Sequence, residues 1–182
     1  MSHPEEVSDL PTVRTVDAER FKAALRFHAA GVAVITADVG GTPVALTASS
    51  VTSVSVDPAI LLFSVSSTTG TGRLLAEASS AVVHLLDADD HELAVRCADP
   101  TSDRFGDGNS WERLPSGEPA FLAPRRLLRG TVRDRLAMGD ATIVLLAVTE
   151  VIERAHDRAG EASPLAYVDR TWHSLGPAST IG

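Results

Sequence analysis

Apolar positions along this chain change period several times, and each change marks an element. Over residues 17–29, Phe21, Ala24, Leu25 and His28 recur at i, i+3, i+4 and i+7. That spacing predicts an amphipathic helix, capped by Asp17 and ended by Gly31. The pattern then becomes strand-like. A strand is expected over 32–37, a hairpin turn at Gly40-Gly41 and a returning strand over 43–50. Two more strands, 51–56 and 59–65, are separated by Asp57-Pro58. A short helix (71–78), a strand (81–86) and a second helix (89–97, with Leu93 facing inward) follow. Residues 98–120 are rich in Gly, Pro, Asp and Ser and read as one long loop, a segment type often functional inside a compact domain. Residues 127–135 and 142–152 are long antiparallel candidates, and 165–168 adds a last strand.

Short strands dominate, with few helices between them. This argues a mostly β protein, closed as an antiparallel barrel rather than built from βαβ units. The 182 residues are read as one domain over 17–176. Residues 1–16 are read as a disordered, polar and acidic tail and 177–182 as a C-terminal tail. There is no internal repeat.

Composition narrows the function classes. Hydrophobic residues make up 44% and aromatics 4%, so the core rests on Val, Leu, Ile and Ala. The formal net charge is −8, and Lys22 is the only lysine. Without a basic stripe, nucleic-acid binding is not expected. No apolar run reaches the roughly 18 residues of a membrane helix, and the first residues lack the pattern of a signal peptide. Cys97 is the single cysteine, so no intrachain disulfide can form, and a cytoplasmic location is expected. Cys97 itself reads as a small buried hydrophobe.

The chemistry-bearing residues cluster in four places. The run from Thr47 to Ser66 is unusually rich in hydroxyls, including Thr47, Ser49, Ser50, Ser64 and Ser66. These are small donors that stay neutral near pH 7, suited to holding a phosphate or a planar polar ring. From pattern alone, a hydroxyl-rich strand facing water explains Thr47, Ser49 and Ser50 better. Ser64, Ser66, Ser67, Thr69 and Thr71 lead into a helix whose N-terminus offers free N–H groups to an anion, with Gly70 and Gly72 allowing close approach. Arg96 and Arg104 are guanidinium candidates for a phosphate, and Arg104 reads equally well as a solvated surface residue. Gly139-Asp140-Ala141-Thr142 is the fourth. The histidines lack metal-ligand spacing, so no metal site is expected. No Gly-x-Ser-x-Gly and no Gly-x-Gly-x-x-Gly after the first strand is present.

The order of several segments resembles the short-chain flavin reductase-like proteins, the reductase partners of two-component flavin monooxygenases. They are Gly31-Val32-Ala33-Val34-Ile35-Thr36, the run from Thr47 to Pro58, Leu61-Leu62-Phe63-Ser64-Val65, and Ala81-Val82-Val83-His84-Leu85-Leu86. They continue with Asp103-Arg104-Phe105-Gly106 and Trp111, Gly139-Asp140-Ala141-Thr142-Ile143-Val144, Pro164-Leu165-Ala166-Tyr167 and Trp172. Together they cover roughly residues 17–175. The resemblance implies a split β-barrel of the FMN-binding type, a homodimer, FMN (or FAD) as cofactor and NAD(P)H as cosubstrate. It also implies a partner flavin-dependent monooxygenase.

It implies site residues too. Thr47, Ser49 and Ser50 would run along the flavin, with Pro43, Val44, Ala45 and Leu46 passing nearby. Ser64, Val65, Ser66, Ser67, Thr69 and Thr71 would meet the ribityl chain and phosphate. Many family members carry a Lys or Arg near Ser67, and Arg73 is the nearby substitute. Arg104-Phe105 matches a family signature. His84 stands where the family often has Asn; a structural hydrogen bond is its simpler role. Ala141 departs from the family's Gly-Asp-His, whose His is associated with the nicotinamide side. His173 and Tyr167 are candidates to fill that gap. The departure leaves two alternatives open: the same barrel with another electron donor or acceptor, and a flavin-binding protein without turnover.

Overall fold

The computed structural model describes residues 14–106, 108, 110–155 and 163–181, so residues 1–13 of the tail expected over 1–16 lie outside the described residues. Helix α1 (Ala18–Leu25) is capped by Asp17, whose carboxylate accepts from the Arg20 N–H at 2.9 Å. It ends before Gly31, which is already extended in β1 (Ala30–Gly31). β2 (Ala33–Val39) and β3 (Thr42–Ala48) form the expected hairpin. Gly40 and Gly41 have φ of +61° and +87°, the turn geometry that follows strand twist. β4 (Thr52–Ser55) and β5 (Ile60–Ser66) flank the Asp57-Pro58 corner. Next come α2 (Gly70–Glu77), β6 (Ser80–Leu85), a 3-10 turn at Ala88–Asp90 and α3 (His91–Ala98).

The segment 98–120 is not one loop. It holds a hairpin of β7 (Trp111–Arg113) and β8 (Pro119–Phe121), strands too short to show a period. β9 (Arg126–Met138) and β10 (Ala141–Glu153) are the long antiparallel pair. β11 (Leu165–Val168) turns back into β12 (Thr171–Ser174), which the sequence pattern did not predict. A 3-10 turn at Pro177–Ser179 occupies part of the expected C-terminal tail.

Seven strands form one antiparallel sheet in the order β3-β2-β6-β9-β10-β5-β4. Ile35, Val44, Phe63, Val83, Val144 and Leu146, from five of these strands, meet in a single core cluster with Leu75 of α2. A sheet whose near and far strands share one core has rolled up around it, which makes this a split antiparallel barrel. A second cluster lies outside the barrel, where Val34 and Ala45 pack against Leu93, Ala94 and Cys97 of α3 and Phe121 of β8. Among the described residues no helix is long and apolar enough to cross a membrane. α1 contributes no buried residue, and Phe21 and Leu25 stand 57% and 48% exposed.

Candidate flavin site

The alternation of β3 creates the site. Val44 and Ala48 enter the barrel core with Leu46 packed against it, while Ala45 faces the outer cluster. By strand alternation Pro43, Thr47 and Ser49 share the outward side with Ala45. Val44 and Leu46 therefore have only backbone to offer a ligand. The same correction holds for Val65 on β5, whose side chain is buried in the barrel core. Two cavities border this outward edge, which spans roughly 20 Å at about 3.3 Å per residue. One, of about 200 Å³, is lined by Pro43, Val44, Ala45, Thr71, Arg104 and Phe105 among others. The other, of about 220 Å³, is lined by Val32, Thr47, Ser49, Ala98, Tyr167 and Trp172.

The first cavity has the character of an anion site. Thr69 caps α2 by accepting from the Gly72 N–H at 3.1 Å. Arg104 donates through Nη1 to the Thr71 hydroxyl at 3.0 Å and through Nη2 to the Asp99 carbonyl at 3.0 Å. Its Nε is buried and has no hydrogen-bond partner among the described residues. A guanidinium, a hydroxyl and a helix N-terminus therefore converge, which fits the phosphate of a flavin mononucleotide. Arg73, the other candidate cation, is an exposed residue of α2. Gly72 is required by packing rather than by a ligand: a Cβ there would lie 2.1 Å from the Ser66 carbonyl oxygen.

Hydrogen bonds tie the hydroxyl segments together. Ser50 Oγ accepts from the Ser64 N–H at 3.0 Å and donates to the Ser64 carbonyl at 3.1 Å. Thr47 donates to the Ala94 carbonyl at 2.6 Å, fastening β3 to α3. Ser66 and Thr68 hydroxyls lie 2.8 Å apart. The Ser67 N–H donates to the Asp140 carbonyl at 2.8 Å, and Ser67 and Thr142 hydroxyls are 3.1 Å apart. Ala141 pairs with Ser66, so the position of the family's His lies directly beside the hydroxyl loop.

The structure separates other candidates from this site. His84 is fully buried, with Nδ1 3.0 Å from the Val34 carbonyl and Nε2 accepting from the Phe121 N–H at 3.0 Å. Burial lowers its pKa from 6.5 to about 4, so the ring is neutral and carries its proton on Nδ1. The structural bond that was its simpler role is present, with both nitrogens occupied in bracing β2, β6 and β8, and the cofactor contact that the resemblance implied is corrected. Arg96 lies over the Phe121 ring at 5.7 Å and lines a separate cavity of about 420 Å³ with Asp89, Asp90 and Glu92. Three carboxylates on that wall, against the one of Asp103 in the Arg104 cavity, make Arg96 the poorer phosphate partner. Tyr167 joins Thr47 and Ser49 in the second cavity and packs on Trp172 at 4.8 Å. His173 is exposed on β12, opposite Ala166. β1, β11 and β12 form a different sheet from that of Ala141, in that order. Cys97 is buried, and burial pushes its thiol up to about 11.

The sequence motif named Phe105 and Trp111, but not the aromatic packing that supports the site. Phe105 stacks on Phe121 at 5.3 Å and meets Trp111 edge-on at 5.1 Å. Trp111 Nε1 also donates to the Phe105 carbonyl at 3.0 Å. The contact depends on the β7–β8 hairpin, which had no periodic signal. Ser102 and Asp103, which line the Arg104 cavity, had none either.

Comparison with known proteins shows the family. Residues 25–176 match the flavin reductase like domain, and the chain belongs to that family. It is 36% identical over 173 residues to an NADH:FMN oxidoreductase of Rhodococcus qingshengii, covering 94% of this chain and 90% of that protein. Among solved structures it is similar to a flavin reductase domain protein from Arthrobacter sp. FB24, with TM-score 0.79 and 32% identity over 87% of this chain and 96% of that one. It is also similar to BorF, the flavin reductase component of a bacterial two-component tryptophan halogenase, with TM-score 0.75 and 26% identity over 87% of this chain and 98% of that one.

Proposed function

We propose that this protein is an NADH-dependent flavin reductase that takes FMN as its flavin. The observation that carries the reading is the convergence of Arg104, Thr71 and the α2 N-terminus at one end of the outward edge of β3. Arg104 and Thr71 would hold the phosphate. Thr47, Ser49 and the backbone of 43–50 would lie along the ring, with Tyr167 and Trp172 closing the far end. Bound flavin would supply the redox chemistry, taking hydride from the nicotinamide and passing electrons on. The chain's part is binding, orientation and exclusion of water, so no acid or base need replace the missing His at Ala141. FMN is favoured over FAD, and NADH over NADPH, by the name of the Rhodococcus relative.

A partner enzyme of the two-component kind, accepting reduced flavin, is supported by the likeness to BorF. A homodimer is the expected assembly. Val54 and Val56 on and beyond the edge strand β4 stand 52% and 89% exposed, and Val151 stands 60% exposed. A second copy is the simplest cover for such an edge, and light scattering that shows a monomer at micromolar concentration would remove this part of the reading.

The test is a flavin titration followed by an NADH oxidation assay. Saturable FMN binding with flavin-dependent NADH oxidation is expected. Tight FMN binding without oxidation would favour a flavin binder, and no binding at all would contradict the proposal.

A further inference from the structure

A cavity of about 470 Å³ lies beside the flavin groove, between α1 and the β11–β12 hairpin. Ser49 and Tyr167 line both this cavity and the 220 Å³ one, so the two chambers share a wall. The unpacked face of α1 supplies its apolar side through Phe21 and Leu25. Its charged groups are Glu19, Lys22, Arg26, Asp169 and Arg170, with His28 beside them. Most are already matched. Lys22 pairs with Glu19 at 2.9 Å, and Arg26 pairs with Asp169. Arg170 makes no hydrogen bond or close ion pair among the described residues, and its charge acts on Glu19 through space.

Arg170 is also held in an unusual backbone conformation. The two-residue turn between Val168 and Thr171 is Asp169-Arg170, with φ of +48° and +60°. Such a turn favours Asn-Gly, and a long side chain at positive φ is uncommon. α1 fixes the turn in place: the Asp169 N–H donates to the Arg26 carbonyl at 2.9 Å, beside the Arg26–Asp169 ion pair. The fold thus keeps an unmatched guanidinium at the cavity where glycine would sit more easily. Local strain of this kind collects at ligand sites.

We propose that Arg170 docks the diphosphate of NADH. The adenosine half lies on Phe21 and Leu25, and the nicotinamide half is directed past Ser49 and Tyr167 towards the flavin groove. This rests on the reductase reading above. A diphosphate joined to adenosine is also part of FAD, so the test separates the two sources.

The experiment compares wild type, Arg170→Gly and Arg170→Lys. The KM for NADH should rise roughly five- to tenfold in Arg170→Gly, with kcat within about twofold, as expected for loss of one charge-assisted contact made in ground and transition states alike. Arg170→Lys should recover most of it. The KM for reduced nicotinamide riboside, which lacks both phosphates and adenosine, should not change. The Kd values for FMN and FAD should also hold. Because glycine relieves the positive φ, the melting temperature of Arg170→Gly should rise by about 2–4 °C. An unchanged NADH KM, an equal rise for the riboside, or a fall in melting temperature accompanying the KM rise would overturn the assignment. A loss confined to FAD affinity would overturn it too, moving the site to the flavin. Wild type that oxidises no NADH would overturn the reductase reading and this inference with it. Wild type that oxidises NADH with an indistinguishable variant would overturn the inference alone.

Discussion

The hydroxyl of Ser50 bonds both backbone groups of Ser64, at 3.0 Å to its N–H and 3.1 Å to its carbonyl. The β4–β5 ladder pairs Thr52 with Leu62, and continuing that register puts Ser50 opposite Ser64. A side chain therefore takes the place of a backbone rung beyond the end of β4. It couples the chain just past β3 to β5, the strand that leads towards α2.

Ser49 and Ser50 should consequently behave differently when truncated. Ser50→Ala removes two bonds at a half-buried position and should lower folding stability by about 1–3 kcal/mol. Ser49 is exposed and makes no hydrogen bond among the described residues. Ser49→Ala should leave the melting temperature unchanged and weaken FMN binding by about 0.5–1.5 kcal/mol. Thermal melts and flavin titrations of the two single variants check this; equal effects in both assays would contradict it.

Arg104 should discriminate phosphorylated from unphosphorylated flavin. Arg104→Ala should weaken FMN by about 1.5–3 kcal/mol, the range for bonds to charged groups, and riboflavin by much less. Loss of both affinities to the same degree would mean that Arg104 acts by holding Thr71 and the 99–105 segment rather than by touching phosphate.

Acid should destabilise the protein in two stages. His84 has a folded pKa of about 4 against an ordinary 6.5, because burial penalises its charged form. The unfolded chain then binds a proton that the native chain refuses. Stability is full above pH 6.5 and falls as pH drops towards 4, by about 3 kcal/mol. Glu118 acts lower. Burial alone would raise its pKa, but bonds from Arg129, Ser116 and Ser80 more than offset this and hold it at about 2 against 4.5. Its contribution is present above pH 4.5 and is lost as pH falls towards 2. Urea unfolding across this range should show the first stage in wild type and not in His84→Asn.

Ala141 tests how nicotinamide is handled. It is half-buried, opposite Ser66 at the start of β10. Ala141→His should lower the apparent KM for NADH more than it raises kcat, since contacts common to ground and transition states act on binding. A neutral or slower variant would show that the neighbours of Ala141 already suffice.

Much of the barrel was legible because its signals are local. Gly40-Gly41 marked a hairpin by demanding positive φ, and the long runs of β9 and β10 could not be mistaken. The β7–β8 hairpin and β12 were not legible, since strands of three or four residues show no alternation to read. α1 was foreseen from its apolar stripe, yet that stripe faces outward, because periodicity shows which residues share a face and not what covers it. At the site, Arg104 and Thr71 were foreseen as separate candidates, and their contact across 33 positions came only with the fold. A structural bond was foreseen for His84, but not which groups would make it. Its partners Val34 and Phe121 lie 50 and 37 positions away, set by strand register.

The most direct test is anaerobic rapid mixing of the protein–FMN complex with NADH, following the absorbance of oxidised flavin. The structure predicts bleaching whose rate saturates with NADH concentration and whose extent matches the bound flavin. FMN that stays bound and oxidised in the presence of excess NADH would contradict the account.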